Sequence, residues 1–179
     1  MTPRRLINIL TKEFPLYYVA RVFNILPNHG VTCSIRGFWI KYFFKKHGNS
    51  FALAQSSIIS YPENIEVGDN VYFAHRIYVN ASRGLLVGND VTIGPNCIIA
   101  TGNHDVQNGK VVNEGSGGKI IINDGTWIGG NVTITGGVTI GHGCIIGAGS
   151  VITNDIPDHV LAGGVPARII KKIDDGEMV

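Results

Sequence analysis

A mainly β solenoid of short parallel strands, preceded by a helical segment and interrupted by one extended loop, is the fold this 179-residue sequence predicts. Three observations point to it. Aliphatic residues recur at steps of six over most of the chain. Glycine is abundant, at 24 residues, without the Gly-X-Y period of collagen. The step of six stops once, between Ile99 and Ile122, and then resumes.

The first 50 residues do not follow the repeat. RRLINILTKEFPLYYVARVFNIL and SIRGFWIKYFFKKHG read as two helical stretches, the second capped by Ser34 and stopped by Gly48, with Pro15 beginning or kinking a helix. Residues 1–50 hold eight Lys/Arg against Glu13 alone, a net of +7. Residues 51–179 hold seven against twelve acids, a net of −5, so the two parts have different surroundings. Solenoids need their open ends covered, and apolar residues nearly all round the second stretch favour a cap. A basic aromatic face lying peripherally on an anionic membrane is the second reading. No nucleic-acid module is recognisable, so nucleic acid is not expected as a partner.

From Ile122 the hexads read INDGTW IGGNVT ITGGVT IGHGCI IGAGSV ITNDIP, and six consecutive starts (122, 128, 134, 140, 146, 152) are isoleucine. Upstream, starts fall at Val67, Phe73 and Val79 and, after a two-residue insertion, at Val87, Ile93 and Ile99. The next residue is Gly six times, otherwise Ala, Asn or Thr; the fifth is mostly small or β-branched, as in Val71, Val91, Val132, Val138 and Ser150. Each hexad reads as a short strand and a corner. The start points inward onto the same position one coil away, and Gly or Asn takes left-handed backbone angles at the corner. Three hexads close a triangular coil, and coils bury their faces only by stacking. GHGCIIGAGS is not a nucleotide loop: it lacks GxGxxG, and its glycines fall at hexad corners.

The gap from Ile99 to Ile122 is 23 residues, one hexad plus a 17-residue excursion. Insertions in a solenoid become loops on one face, and loops of this length are usually functional. His104, in IIATGNHDVQNGK, lies where the coil ends and the loop begins. The domains expected are 1–50, helical; 51–173, the solenoid, with its loop at about 101–121; and 174–179, a tail. Cys33, Cys97 and Cys144 make no CxxC and no disulfide framework, which fits a reducing cytoplasm. No apolar stretch approaches the roughly 20 residues of a membrane span.

The repeated [IV]-G-x-x-[VCST]-x over about residues 60–172 resembles the hexapeptide-repeat family, whose fold is a left-handed parallel β-helix. The handedness is implied by that resemblance alone, because parallel crossovers are otherwise right-handed in about 98% of cases. ATGNHDV, the loop, and TWIGGNVTI (126–134) resemble the O-acetyltransferases of this family, of the maltose/galactoside and polysaccharide-biosynthesis types. AGSVITNDIPDHVLAGGVPARIIKKI (148–173) is similar to their C-terminal signature.

The resemblance implies acetyl-CoA as co-substrate, a sugar or saccharide acceptor, and a homotrimer with acetyl-CoA in the groove between neighbouring subunits. It implies His104 as general base. A sugar hydroxyl is a weak nucleophile at neutral pH, and imidazole suits removal of its proton as it attacks a thioester. Asp105, Glu114 or a backbone carbonyl is expected to orient the ring. Gly130 and Ala148 match positions whose backbone meets pantetheine, Thr153 and Arg168 positions near the adenosine phosphates, and Trp127 an aromatic near the reacting end; Lys171 and Lys172 add positive charge. Trp127 as a wedge for the loop, and Thr153 and Arg168 as anchors of the C-terminal segment, are the structural alternatives.

Two departures bear on substrate. Galactoside acetyltransferases of the family carry Asn and Asp where this chain has Ala74 and Ser82, which argues against a simple galactoside. Asn154 stands where Lys is common. Arg76, Asn80 and Arg83 lie nearby and suit a larger or more anionic acceptor. The expected function is acetyl transfer to a sugar hydroxyl in surface-polysaccharide synthesis. Rival readings are N-acetylation of an amino or nucleotide sugar, a γ-carbonic-anhydrase-like metal enzyme, and a non-catalytic scaffold. His75, His104 and His142 lack the close pairing that a three-histidine zinc site needs, so no metal is expected.

Overall fold

The computed structural model describes residues 2–112 and 115–174. Glu114 and residues 175–179 of the expected tail lie outside the described residues.

Three sheets wrap one core. The first stacks Lys46–His47, Ile65–Val67, Leu85–Val87, Ile120–Ile122 and Thr139–Ile140. The second stacks Phe51–Leu53, Val71–Phe73, Thr92–Ile93, Trp127–Ile128, Ile145–Ile146 and Val160–Gly164, and ends on the antiparallel strand Ala167–Lys172. The third stacks Ile58–Ser60, Tyr78–Asn80, Ile98–Ala100, Thr133–Thr135 and Val151–Ile152. The result is the expected parallel β-solenoid with an N-terminal helical segment.

The registers explain the hexads. Val67 pairs with Val87, Val87 with Ile122 and Ile122 with Ile140. Phe73, Ile93, Ile128 and Ile146 form the second column, and Val79, Ile99, Ile134 and Ile152 the third. All twelve are buried, and full burial contributes about 1.5–3 kcal/mol per side chain of this size. The coil step is 20 residues from Val67 to Val87, 35 from Val87 to Ile122 and 18 from Ile122 to Ile140. The long step exceeds the short one by 17, the length of the excursion.

The corner chemistry differs from expectation. Left-handed angles fall at the fourth position of the hexad, in Asn70, Arg76, Asp90, Asn96, Gly125, Asn131, Gly137, Gly143 and Gly149. The second-position glycines are needed for another reason. A Cβ on Gly94 would stand 2.7 Å from the Gly129 carbonyl carbon, and one on Gly129 would stand 2.7 Å from the Ala148 nitrogen. Successive coils touch backbone to backbone there, and a methyl group has no room. Cys97 and Cys144 occupy fifth positions, fully buried, which is a packing role.

The N-terminal segment forms α1 (Pro3–Asn8), a π turn (Ile9–Glu13), α2 (Phe14–Phe23) and α3 (Gly30–Ile40). Pro15 lies within one continuous helical run from Pro3 to Phe23, and the π turn just before it is where the hydrogen-bond ladder changes to accommodate the proline. The cap of α3 is His29, not Ser34: the His29 N–H donates to Thr32 Oγ1, and Ser34 Oγ donates within the helix to the Gly30 carbonyl. The helix stops at Ile40, not at Gly48. Gly48 belongs to the solenoid, because Lys46 and His47 already pair with Glu66 and Val67. One face of α3 covers the open end of the stack, and at Gly37 its backbone meets that of Phe51 and Ala52 too closely for a Cβ. Its other face, Val31, Ile35, Phe38 and Trp39, is exposed.

Two of the eight N-terminal cations are structural. Arg36 is fully buried; Nη1 donates to the Leu53 carbonyl at 2.7 Å, and Nη2 to those of Phe23 and Leu26 at 3.0 and 3.2 Å. It satisfies the carbonyl end of α2 and ties both helices to the first coil. Lys41 is buried with Nζ 2.7 Å from the Asn49 carbonyl oxygen. Among the described residues no helix is long and apolar enough to cross a membrane.

Candidate active site

The excursion leaves the corner after Ala100 as a two-stranded arm. Asn103 donates to the Ser116 carbonyl and Gly118 to that of Thr101, with Gly102 and Gly117 bridged antiparallel between them. Beyond them Asp105–Gln107 pairs with Lys110–Val112. The hairpin turns on Asn108 (φ 51°) and Gly109 (φ 73°), the residue pair that accepts two left-handed conformations in a tight turn.

His104 lies at the foot of this arm, exposed, with Nδ1 3.2 Å from the Val112 carbonyl oxygen. Among the described residues, a backbone carbonyl is the expected group that meets the ring. Asp105 instead accepts from Ser116 Oγ. A carbonyl only accepts, so the contact suits the neutral tautomer with its hydrogen on Nδ1 and its lone pair on Nε2.

His104 opens on a cleft of about 470 Å³ lined by Tyr61, Asn80, Ser82, Arg83, Gly102, Asn103, Gly115 and Ser116. Thr101, fully buried, is its anchor: Oγ1 donates to the Asn80 carbonyl at 2.9 Å and accepts from the Arg83 N–H at 2.9 Å. Asn80 Oδ1 accepts from the Ser82 N–H at 3.1 Å, and Arg83 Nη2 donates to the Gly115 carbonyl. Asn80, Arg83 and His104 are therefore together. Arg76 is not with them; it sits at the corner joining the second and third sheets.

A second set lies on the second sheet. Trp127 pairs with Ile145, Ile145 with Leu161, and Leu161 with Lys171, an outward row crossing four strands, about 14 Å at ordinary strand spacing. Trp127 is 50% exposed. Arg168, on the same terminal strand, pairs with Gly163. Gly130 and Ala148 lie at the adjoining corner, where the Gly149 N–H donates to the Gly130 carbonyl at 2.9 Å. This strip of small residues beside an aromatic and ending in cations fits an extended thioester carrier with a phosphorylated end. Thr153 stands apart, at the corner after the third sheet. The corner bearing His104 joins the third sheet to the first, so within one chain it lies opposite the sheet bearing Trp127.

Sequence reasoning missed the hairpin, although Asn108-Gly109 between alternating valines is a strong hairpin signal. It missed Tyr61, Thr101 and Ser116 for want of any local signal. Among the described residues, no three His, Cys, Asp or Glu side chains group to hold a metal ion.

Residues 119–154 match the family described as bacterial transferase hexapeptide (six repeats). The chain is 36% identical over 141 residues to galactoside O-acetyltransferase of Escherichia coli K12, covering 76% of this chain and 68% of that protein. It is similar in structure to a maltose O-acetyltransferase from Clostridium difficile 630, with TM-score 0.79, 31% identity and coverage of 93% and 89% of the two chains. A galactoside acetyltransferase in complex with coenzyme A matches with TM-score 0.81 and 29% identity, over 98% of this chain and 85% of the other.

Proposed function

The chain belongs to the hexapeptide-repeat acetyltransferases of the galactoside and maltose O-acetyltransferase type and uses acetyl-CoA as co-substrate, and on that premise we propose that it acetylates a sugar hydroxyl with His104 as general base. One observation carries the reading: the Val112 carbonyl holds Nδ1 of His104, leaving Nε2 basic at the foot of a polar cleft. Nε2 accepts the hydroxyl proton as that oxygen bonds to the thioester carbon; the carbon–sulfur bond then breaks, and the proton passes to the departing thiolate. Asn80, Ser82 and Arg83 position the sugar.

Trp127, Gly130, Ala148, Arg168 and Lys171 hold acetyl-CoA in this reading, and Thr153 contributes from its own corner. Because His104 and Trp127 lie on opposite sides of one chain, a complete site needs a neighbouring copy, and a homotrimer supplies it. The acceptor belongs to surface polysaccharide synthesis, a setting in keeping with the exposed apolar stripe on α3, which meets the membrane peripherally.

The test is CoA release from acetyl-CoA across a panel of sugars and nucleotide sugars, with wild type beside His104→Ala. Acceptor-dependent release that falls about 10²–10⁴-fold in the variant is expected. Release that survives the substitution removes His104 from the base role.

A further inference from the structure

The cleft at His104 does not end at Ser82. Two further depressions, of about 520 and 560 Å³, share Ser82 with it and run along the same corner towards α1. Their cationic side chains are Arg4, Arg5, Lys12, Lys45, Arg83 and Lys119, against the carboxylates Glu63 and Glu66. Both acids are already engaged. Arg5 bridges Glu13 at 2.6 Å and Glu63 at 3.3 Å while lying over the Tyr61 ring, and Asn8 Nδ2 donates to the same Glu63 oxygen at 2.8 Å; Glu66 pairs with Lys45 at 2.8 Å and Lys46 at 3.5 Å. Among the described residues, Arg4, Lys12 and Lys119 have no ion pair. Cations gathered along a walled trough focus the field and raise the local concentration of anions. Here they gather on a corner of a solenoid whose own residues, 51–179, carry a net of −5.

We propose that this trough is an extended acceptor subsite that binds the anionic part of a saccharide, its carboxylates or phosphates, while a hydroxyl further along reaches His104. The proposal rests on the acetyl-transfer reading for the catalytic end only. Arg4, Lys12 and Lys119 are the free charges that confer the preference, and Arg5 and Lys45 keep the two acids from opposing it.

The experiment is calorimetric binding to the full chain without acetyl-CoA. The probes are a uronate-containing tetrasaccharide, UDP-glucose and neutral maltotetraose, and the proteins are wild type and R4Q/K12Q/K119Q. An anionic probe is expected to bind about 10-fold more tightly than the neutral one, and the advantage to vanish in the triple variant and in 0.5 M salt, at roughly twofold or more per cation. Advantage for the uronate probe alone identifies carboxylates spaced along a chain as the ligand; advantage for UDP-glucose identifies a pyrophosphate. Equal binding of all probes, or an advantage that survives the triple substitution, overturns the proposal. If no acceptor is acetylated yet the variant loses the anionic advantage, the acetyl-transfer reading fails and the subsite stands.

Discussion

Nδ1 of His104 and the carbonyl oxygen of Val112 stand 3.2 Å apart across a hairpin that turns on Asn108 and Gly109. The contact joins the outgoing arm of the excursion to the returning one, so the ring's orientation depends on how the hairpin closes.

Replacing Gly109 by valine tests this dependence. Its φ of 73° is costly for a β-branched residue, by about 1–2 kcal/mol. Because the hairpin packs outside the core, the melting temperature is expected to stay within about 2 °C of wild type. The turnover number is expected to fall about tenfold or more. Unchanged turnover with acceptor would show that the turn does not position His104.

The two classes of glycine predict different costs. A Cβ at Gly129 meets the Ala148 nitrogen at 2.7 Å, so Gly129→Ala must push two coils apart and is expected to lose about 1–3 kcal/mol or more. Gly149 has φ 74° with open space around the added carbon, so Gly149→Ala is expected to lose only about 1 kcal/mol. Urea denaturation of both variants ranks them; the reverse order would refute the division between close approach and backbone angle.

Burial pushes the Cys97 thiol above its ordinary range, and burial, helped by the nearby Asp158 charge, does the same to Cys144. The thiolate is the reactive form. In the folded chain at pH 8 neither is expected to react with a disulfide reagent within minutes, and both should react in guanidinium. Labelling at either position in the folded chain, mapped by mass spectrometry, would contradict the packing role.

Arg36→Met keeps the length and removes the donors. The Leu53 carbonyl then loses its donor, at about 1–3 kcal/mol for a group left buried, whereas the Phe23 carbonyl keeps the Leu26 N–H and the Leu26 carbonyl keeps Gln55 Nε2. Limited proteolysis is expected to cut first within α2 or α3, sooner than in wild type. Equal rates would mean that Arg36 does not hold the cap.

Much of the fold was legible because the coil period is written into the chain. The six isoleucine starts from 122 to 152 fill three columns, two to each, and the 17-residue surplus between Ile99 and Ile122 reappears as the difference between a 35- and an 18-residue coil step. The position of His104 at the foot of the excursion was legible because it stands at the break. Gly129 was legible as a corner but not for its reason, because the approach of the next coil is a contact between residues many positions apart. The charge count did not set Arg36 apart from the other N-terminal cations, because the helix end that it satisfies exists only once α2 and α3 have docked. By itself, then, the sequence determined what repeats locally: strand, corner, coil length and the place of the excursion. The tertiary structure alone decided that Tyr61, Ser82 and Arg83 meet His104 in one cleft and that Trp127 faces the opposite side, because stacking in three dimensions, not spacing along the chain, sets which residues become neighbours.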